Sequence, residues 1–451
     1  MKKLMAAIMA IIIIAVSMAG CDTAGKAGDS EPSEPSQPPA PEGGTTQGDE
    51  SGAIRIMNLT AKDLLAPVYD EENASAQAVA SGANDFAFRL SAALAVNAGD
   101  GNFVCSPYSV WIPLAALVNA TDDANKPKLL EALGARGAGE ADINNAASRM
   151  LFDLTKQKSE YDPMKIANAI FVGNNVTLKQ SFAQIFLDYF RGVSMNVDFR
   201  SNEAVEAVNK WASENTEGLI SDIVEEFDPD TIAALANAIY FSDRWLLEFD
   251  AEATMEDVFH SPAGDATAQF MLRENDGLIY YEDDLVQAMP LKFTLGDGLY
   301  IILPKDGDAA GLLSSMTNEY FNKIQNDSVQ ASGKLLLPRF AIESDVMELK
   351  DTLEALGVPL FDPAAAPLTG GVIEEGIPAW VSNVAHKAMI DVDEQGATAA
   401  AVTVVAVYGT GMPLPTEPFE MNCNKPFVFV LYGNTYDGGS QVLFTGIVNK
   451  P

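Results

Sequence analysis

Residues 394–407 read Glu394-Gln-Gly396-Ala397-Thr398-Ala399-Ala400-Ala401-Val-Thr403-Val-Val405-Ala-Val407. Two polar residues and a conformationally free glycine give way to small side chains, then to a β-branched run without proline, glycine or charge. Low bulk followed by high strand propensity suits a segment that slides into a sheet as an additional strand. Left at an open edge, the same segment invites β-augmentation or aggregation. Strand side chains alternate, so Ala397, Ala399, Ala401, Thr403, Val405 and Val407 share one face of such a strand. None of them is charged or proline, so the sequence permits full insertion.

Outward from this stretch the chain reads as alternating strands and turns, with helices nearer the N-terminus. Upstream lies Val381-Ser-Asn-Val-Ala-His386-Lys387-Ala, and downstream lies Asn422-Cys-Asn-Lys425-Pro426-Phe427-Val-Phe. Residues 427–431 and 442–448 predict two strands around the turn Gly433-Asn-Thr-Tyr-Asp-Gly438-Gly439. Residues 286–293 and 299–303 predict another pair joined at Gly296-Asp297-Gly298. The apolar run 232–241 predicts a strand buried on both faces. Residues 202–217 predict an amphipathic helix with Val205, Val208, Trp211 and Ala212 on one face and Gly218 placed to stop it. Phe86, Leu90, Ala93 and Leu94 lie at helical spacing after Asn84-Asp85, which reads as the helix cap, and Ser106-Pro107 opens a segment through Val110, Leu114 and Leu117. Helices early and strands late predict an α+β fold.

Six of these segments, in order, carry a family resemblance: Asn102-Phe-Val-Cys-Ser106-Pro107-Tyr-Ser109; Val208-Asn-Lys-Trp211 through Gly218-Leu-Ile; Leu235-Ala-Asn237-Ala-Ile-Tyr240-Phe241-Ser-Asp-Arg-Trp245; Leu337-Pro338-Arg339-Phe340; the 394–407 stretch; and Asn424-Lys425-Pro426-Phe427. Residues 83–451 resemble the serpins. The resemblance implies helices packed on three β-sheets with an exposed reactive loop. It also implies suicide inhibition: a serine protease acylates itself on the loop, and the cut loop inserts into the main sheet.

Position by position, the resemblance implies a hinge at Glu394, Gly396, Ala397, Thr398, Ala399, Ala400 and Ala401. Thr398 departs from the acidic residue common in inhibitors, on the side that faces away from the core. A shutter cluster of buried hydrogen bonds is implied at Ser106, Ser109, Asn237 and His386. A breach, where the loop first enters, is implied at Trp245 with the ion pair Arg339–Glu394. The family's spacing from the hinge glutamate places the reactive bond at Thr410–Gly411, with Tyr408–Gly409 as the second choice. Partners implied are an elastase-like, subtilisin-like or chymotrypsin-like serine protease. A cysteine-protease inhibitor and a non-inhibitory serpin-fold binding protein are the alternatives.

The start of the chain has its own chemistry. Lys2 and Lys3 precede an apolar run from Leu4 to Ala19, closed by Met18-Ala-Gly-Cys21. This resembles a bacterial lipoprotein signal, with residues 1–20 removed and Cys21 receiving lipid. The run is short for a spanning helix, and an uncleaved anchor or an ordinary secretory leader is the other reading. Residues 21–52, rich in Ser, Pro, Gly and acids, read as a disordered tether, and 53–82 as an N-terminal extension before the domain. The implied location is outside the cytoplasm, lipid-anchored to the cell envelope, as a monomer.

The 451 residues carry a formal charge of −35. This repels phosphate backbones and argues against nucleic acid. Cys105 and Cys423 lie in apolar strand-like runs and read as buried free thiols, although an exported protein permits their pairing. No His-Glu-x-x-His, phosphate-binding loop, Gly-x-Ser-x-Gly or Cys-x-x-Cys is present, and His260 and His386 are the only histidines. No enzyme activity, cofactor or metal is expected.

Overall fold

In the computed structural model, which describes residues 8–18, 74–155, 164–396, 417–435 and 439–451, the apolar runs become strands and buried helix faces. The strands are β1 (Ile8–Met18), β2 (Phe103–Cys105), β3 (Met164–Gly173), β4 (Gly192–Val197), β5 (Thr231–Phe241), β6 (Met255–Ser261), β7 (Gly264–Glu282) and β8 (Val286–Lys292). They continue as β9 (Gly298–Pro304), β10 (Val329–Pro338), β11 (Phe340–Glu343), β12 (Met347–Glu348), β13 (Ala379–Val392), β14 (Phe419–Asn422), β15 (Phe427–Asn434) and β16 (Ser440–Val448). The helices are α1 (Ala74–Ala95), α2 (Pro107–Leu117), α3 (Lys126–Ala132), α4 (Glu140–Thr155) and α5 (Gln180–Phe190). After them come α6 (Asn202–Asn215), α7 (Ala309–Ser315), α8 (Asn318–Asp327) and α9 (Lys350–Ala355).

The main sheet has the order β11-β13-β1-β5-β3-β4, with β12 also pairing β13. A second array runs β14-β10-β7-β8-β9-β15-β16-β2, with β6 on β7. The three expected sheets therefore form two hydrogen-bonded units, because the long strand β7 belongs to two of them. The main sheet is covered on both faces. One face meets the large core built on α1, α2 and the second array. The other is covered by α6, whose Ala204, Val208, Trp211 and Ala212 pack on Phe171 and on Ala234, Ala236 and Ala238. Small residues on β5 let the helix approach closely. Ser201 caps α6 by accepting from the Glu203 amide, and Glu217 and Gly218 both take positive φ where it ends.

The helix around Phe86 starts at Ala74, so the expected boundary at 82/83 falls inside it, and Asn84 is no cap. Its side chain instead accepts from the Val442 amide (2.9 Å) and the Gln441 amide group (2.7 Å) and donates to the Ser440 carbonyl (2.8 Å). Gly82 lies inside the helix because a Cβ there would stand 2.0 Å from the carbonyl oxygen of Gly134. The two backbones touch, which only glycine allows.

The apolar run read above as a leader is the central strand of the main sheet. β1 runs antiparallel to β13, from Ile8 opposite Ile390 to Met18 opposite Ala379, and antiparallel to β5, with Ile12 opposite Asn237. Ile11, Ile12, Ile14 and Val16 are wholly buried. An unbroken β-branched run serves equally as the apolar core of a leader and as a strand covered on both faces. The free cysteines are both buried, and burial pushes the Cys105 thiol up to about 11.

Candidate functional site: the centre and upper end of the main sheet

β13 leads straight into the hinge. It ends at Val392, and the chain turns through Asp393–Gly396, with the Asp393 amide donating to the Gly396 carbonyl (3.4 Å). This turn is held against Asp243–Phe249 by main-chain bonds. The Trp245 amide donates to the Gln395 carbonyl (3.0 Å), and the Phe249 amide donates to the Glu394 carbonyl (2.9 Å). Trp245 is buried, stacks on Phe293 with ring centroids 4.4 Å apart, and donates its indole N–H to the Asp393 carbonyl (2.9 Å). The structure thus brings Trp245 and Glu394 to one place, although the sequence separates them widely.

Arg339 completes the group. Its Nε donates to Glu394 Oε1 at 2.7 Å and its Nη2 approaches the same oxygen at 2.6 Å. Thr254, which sequence reasoning missed, donates its hydroxyl to that oxygen as well. Burial raises the Glu394 carboxyl, but the Arg339 and Thr254 hydrogen bonds outweigh it and hold the group below the usual carboxylate range. The Glu394 side chain is 7% exposed and that of Arg339 46%. Arg339→Met is therefore expected to cost about 1–2 kcal/mol at pH 7, between the exposed and buried limits for ion pairs. A group with a depressed folded pKa contributes stability above its unfolded value, 4.5, and loses it as pH falls through the folded one. The difference in urea midpoint between wild type and variant should therefore shrink towards pH 3, and a difference constant with pH would argue against the pair.

Gly396 has φ +126°, and a Cβ there would stand 2.5 Å from the Asp243 carbonyl oxygen and 2.7 Å from the Arg244 Cα. Gly396→Ala is expected to destabilise the fold by about 1–3 kcal/mol, from backbone strain and forced separation of the turn from Arg244. A thermal melt within error of wild type would show that the hinge is not held where it is described.

Lower in the sheet, His386 is wholly buried on β13. Its Nε2 accepts from the Ser106 amide (3.0 Å), and its Nδ1 bonds to the Ile11 carbonyl (2.7 Å). With one nitrogen accepting and the other facing a carbonyl, the ring is neutral with its proton on Nδ1. Ser106 caps α2: its hydroxyl accepts from the Ser109 amide (3.3 Å) and donates to the Leu443 carbonyl (2.8 Å). Ser106, Ser109 and His386 are thus brought together. Asn237 is not joined to them, because β1 lies between β5 and β13, with Ile12 opposite both His386 and Asn237. Asn237 donates instead to Asn168 Oδ1 (2.9 Å), a buried asparagine on β3 that sequence reasoning missed. A lone amide in an apolar strand was its signal. The Asn237 side-chain oxygen Oδ1 and the Ser109 hydroxyl are buried and have no partner among the described residues.

Of the hinge, Glu394 and Gly396 are described. Ala397, Thr398, Ala399, Ala400 and Ala401, both candidate reactive bonds (Thr410–Gly411 and Tyr408–Gly409) and Cys21 lie outside the described residues. Among the described residues no cluster of His, Cys, Asp and Glu suits a metal ion. No helix there is long and apolar enough to cross a membrane.

The family model Serpin (serine protease inhibitor) matches residues 81–451. Serpin-Z4 of Hordeum vulgare is 32% identical over 81% of this chain and 94% of its own length. The alpha-1-antiproteinase of Mus saxicola is 28% identical over 84% of this chain and 94% of its own. The crystal structure of the thermophilic serpin tengpin in its native state superposes with a TM-score of 0.73 at 23% identity. It covers 88% of this chain and 100% of that one, and shows the shared fold.

Proposed function

The chain belongs to the serpin family, whose general function is protease inhibition, and we propose that it is an irreversible suicide inhibitor of serine proteases. The observation that carries this reading is the strand slot between β5 and β13. It accepts an extra strand antiparallel to both, and it opens directly beside the turn from which the loop departs. From Asp393 opposite Gly396, a hairpin continued one step places Ala397 opposite Val392, and three steps place Ala399 opposite Ile390. Ile8 holds that partner in the structure. Thr403 then takes the position of Ile12, and Val405 that of Ile14. Ile12 and Ile14 belong to the large core, which is the parity required for small and β-branched residues to turn inward.

The chemistry follows from this geometry. The protease serine attacks the Thr410 carbonyl. The Thr410–Gly411 amide breaks, Gly411 leaves with a free amine, and Thr410 is held as an ester on the enzyme. The freed hinge side enters the slot from Gly396 downward. About thirteen residues at 3.3 Å each carry the ester roughly 40 Å along the sheet, which distorts the protease before water completes hydrolysis. A dozen new ladder bonds at about 0.5–1.5 kcal/mol each supply on the order of 10 kcal/mol. The uncut form is accordingly metastable and kinetically held. A threonine before the cut bond suits an elastase-like or subtilisin-like pocket, and a cut after Tyr408 would suit a chymotrypsin-like one. We further propose that Cys21 carries a lipid and that the domain stands outside the cytoplasm on a cell envelope.

The test is a denaturing gel of residues 53–451, a chain without its leader, with elastase-like, subtilisin-like and chymotrypsin-like proteases, with mass spectrometry of the released C-terminal fragment. A heat- and detergent-stable adduct of summed mass, with a fragment starting at Gly411 or Gly409, is expected. Clean loop cleavage by every protease without any adduct overturns the reading in favour of a non-inhibitory binding protein.

A further inference from the structure

The slot that the cut loop must enter is already filled, and by a segment of the same chain. β1 is paired along its length with β13 and β5, and the side chains of residues 11–17 are buried, on both faces of the sheet. Ile12, Ile14 and Val16 enter the large core, and Ile11 and Ile13 belong to the smaller core on the opposite face of the sheet. Three further bonds pin it: His386 Nδ1 to the Ile11 carbonyl (2.7 Å), the Ser17 hydroxyl to the Ser382 hydroxyl (2.9 Å), and the Met18 amide to the Asp230 carbonyl (3.1 Å). Residues 8–18 run in the direction the inserted loop would take, and in the same register. The two segments cannot occupy the slot together.

We propose that residues 8–18 are an internal plug that keeps the uncleaved chain from trapping proteases, and that loss of residues 1–20 arms it. The proposal rests on the suicide-inhibitor reading above. Leader and loop compete for one site, and the leader is the bulkier occupant: Ile12 stands where Thr403 would go, and Ile14 where Val405 would go. It is also tethered. About 55 residues separate Met18 from Ala74, a reach on the order of 180 Å when extended, so nothing in chain length prevents docking and the local concentration of leader is high. While β1 is docked, a protease that cuts the loop meets no opening for the new strand, and the ester hydrolyses to give a nicked chain and free protease. The arming step is hydrolysis of the Gly20–Cys21 peptide bond by a processing peptidase, with water supplying the carboxyl of Gly20 and the amine of Cys21. The cut that would mature an exported protein thereby also unties the plug, whose departure opens the sheet, and an inhibitor still inside its own cell stays inert.

The experiment compares the full chain with the full-chain variant Ile12→Asp/Ile14→Asp, whose leader cannot stay buried. Ile13→Pro, which removes a strand donor, is the second variant should the first fail to fold. Each is mixed with elastase, subtilisin and chymotrypsin for adduct yield per cleaved loop, and each is followed by hydrogen exchange at 231–241 and 379–392. The expected result is cleavage with little adduct for the full chain, adduct yield raised at least about tenfold in the variants, and faster exchange in both strands of the variants. Equal trapping by full chain and variants overturns the plug while the inhibitor reading stands. If nothing traps, the inhibitor reading fails and exchange decides the plug. Faster exchange at 231–241 and 379–392 in the variants retains β1 as the occupant, and identical exchange overturns it.

Discussion

Thr403→Arg is expected to leave loop cleavage intact and to reduce the protease adduct about tenfold or more per cleaved loop, tested in protein whose slot is open. By the hinge register, Thr403 enters opposite His386, the position at which Ile12 is wholly buried between His386 and Asn237. His386 is neutral there, and the nearby polar groups Ser106 and Ser109 are committed to bonds within the cluster or closed off from water. A guanidinium arriving at this level finds no carboxylate and no solvent. An unpaired buried charge costs several kcal/mol, comparable with the whole yield of the ladder bonds still to form beyond it. Insertion should stall after about six residues, or roughly 20 Å. The ester would then remain near the upper end of the sheet, where an undistorted protease hydrolyses it. The readout is moles of inhibitor consumed per mole of protease inactivated, which should rise from near one to about ten or more. Thr398→Arg is the control. It lies on the opposite parity near the sheet's upper end and should change this ratio little. Equal loss in both variants would show that bulk in the loop matters and the register does not. No loss in Thr403→Arg would place the inserted strand out of the register set by Asp393 and Gly396.

The two variants also show what was legible in the sequence. The alternation of small residues after Gly396 is a local property, and so is the unbroken apolar run that becomes β5. Both were readable because period and composition are local. Ser106, Ser109, His386, Trp245, Arg339 and Glu394 came from the family resemblance, since nothing local says that Trp245 lies under Asp393. What stayed hidden was set by contacts between distant segments. Gly82 lies inside α1 because Gly134 crosses it. Asn84 reads as a cap, yet it holds the edge of β16. Asn168 and Thr254 carry polar groups whose partners cannot be guessed without the sheet. The apolar run at 8–18 has a composition that fits a membrane-targeting leader and a doubly covered strand alike. Only the pairing with β5 and β13 distinguishes a bystander from the occupant of the site.

Acid is expected to weaken the fold through His386, and the sign and window follow from its surroundings. Burial pushes this ring from 6.5 down to about 4, against a smaller opposing effect from the Ile11 carbonyl. Between those values the unfolded chain binds a proton that the folded chain refuses, so stability falls as pH falls. At about 1.4 kcal/mol per pH unit the loss amounts to roughly 3 kcal/mol by pH 4, and above pH 6.5 this contribution is flat. The hydrogen bonds say why the proton is refused. Nε2 accepts from the Ser106 amide at 3.0 Å, and a protonated Nε2 would turn a donor towards a donor. His386→Asn keeps a donor and an acceptor but cannot titrate. Its urea midpoint should therefore fall by less than that of wild type between pH 7 and pH 4.5, although it begins lower. Parallel pH profiles would mean that His386 titrates with access to water. The same geometry links this ring to the movement of the sheet. The Nδ1 proton now meets the Ile11 carbonyl of β1, while the Asn237 side-chain Oδ1 at the same level has no partner among the described residues. If β1 leaves and β5 closes on β13, that oxygen is the acceptor that can receive the Nδ1 proton. The histidine then keeps one bond to α2 and exchanges the other between an occupied and a closed sheet. Acid should shorten the life of the closed form as well as lower its stability. Hydrogen exchange at Asn237 and its neighbours on β5, faster at pH 5 than at pH 7 after correction for intrinsic rates, is the observation that would establish it.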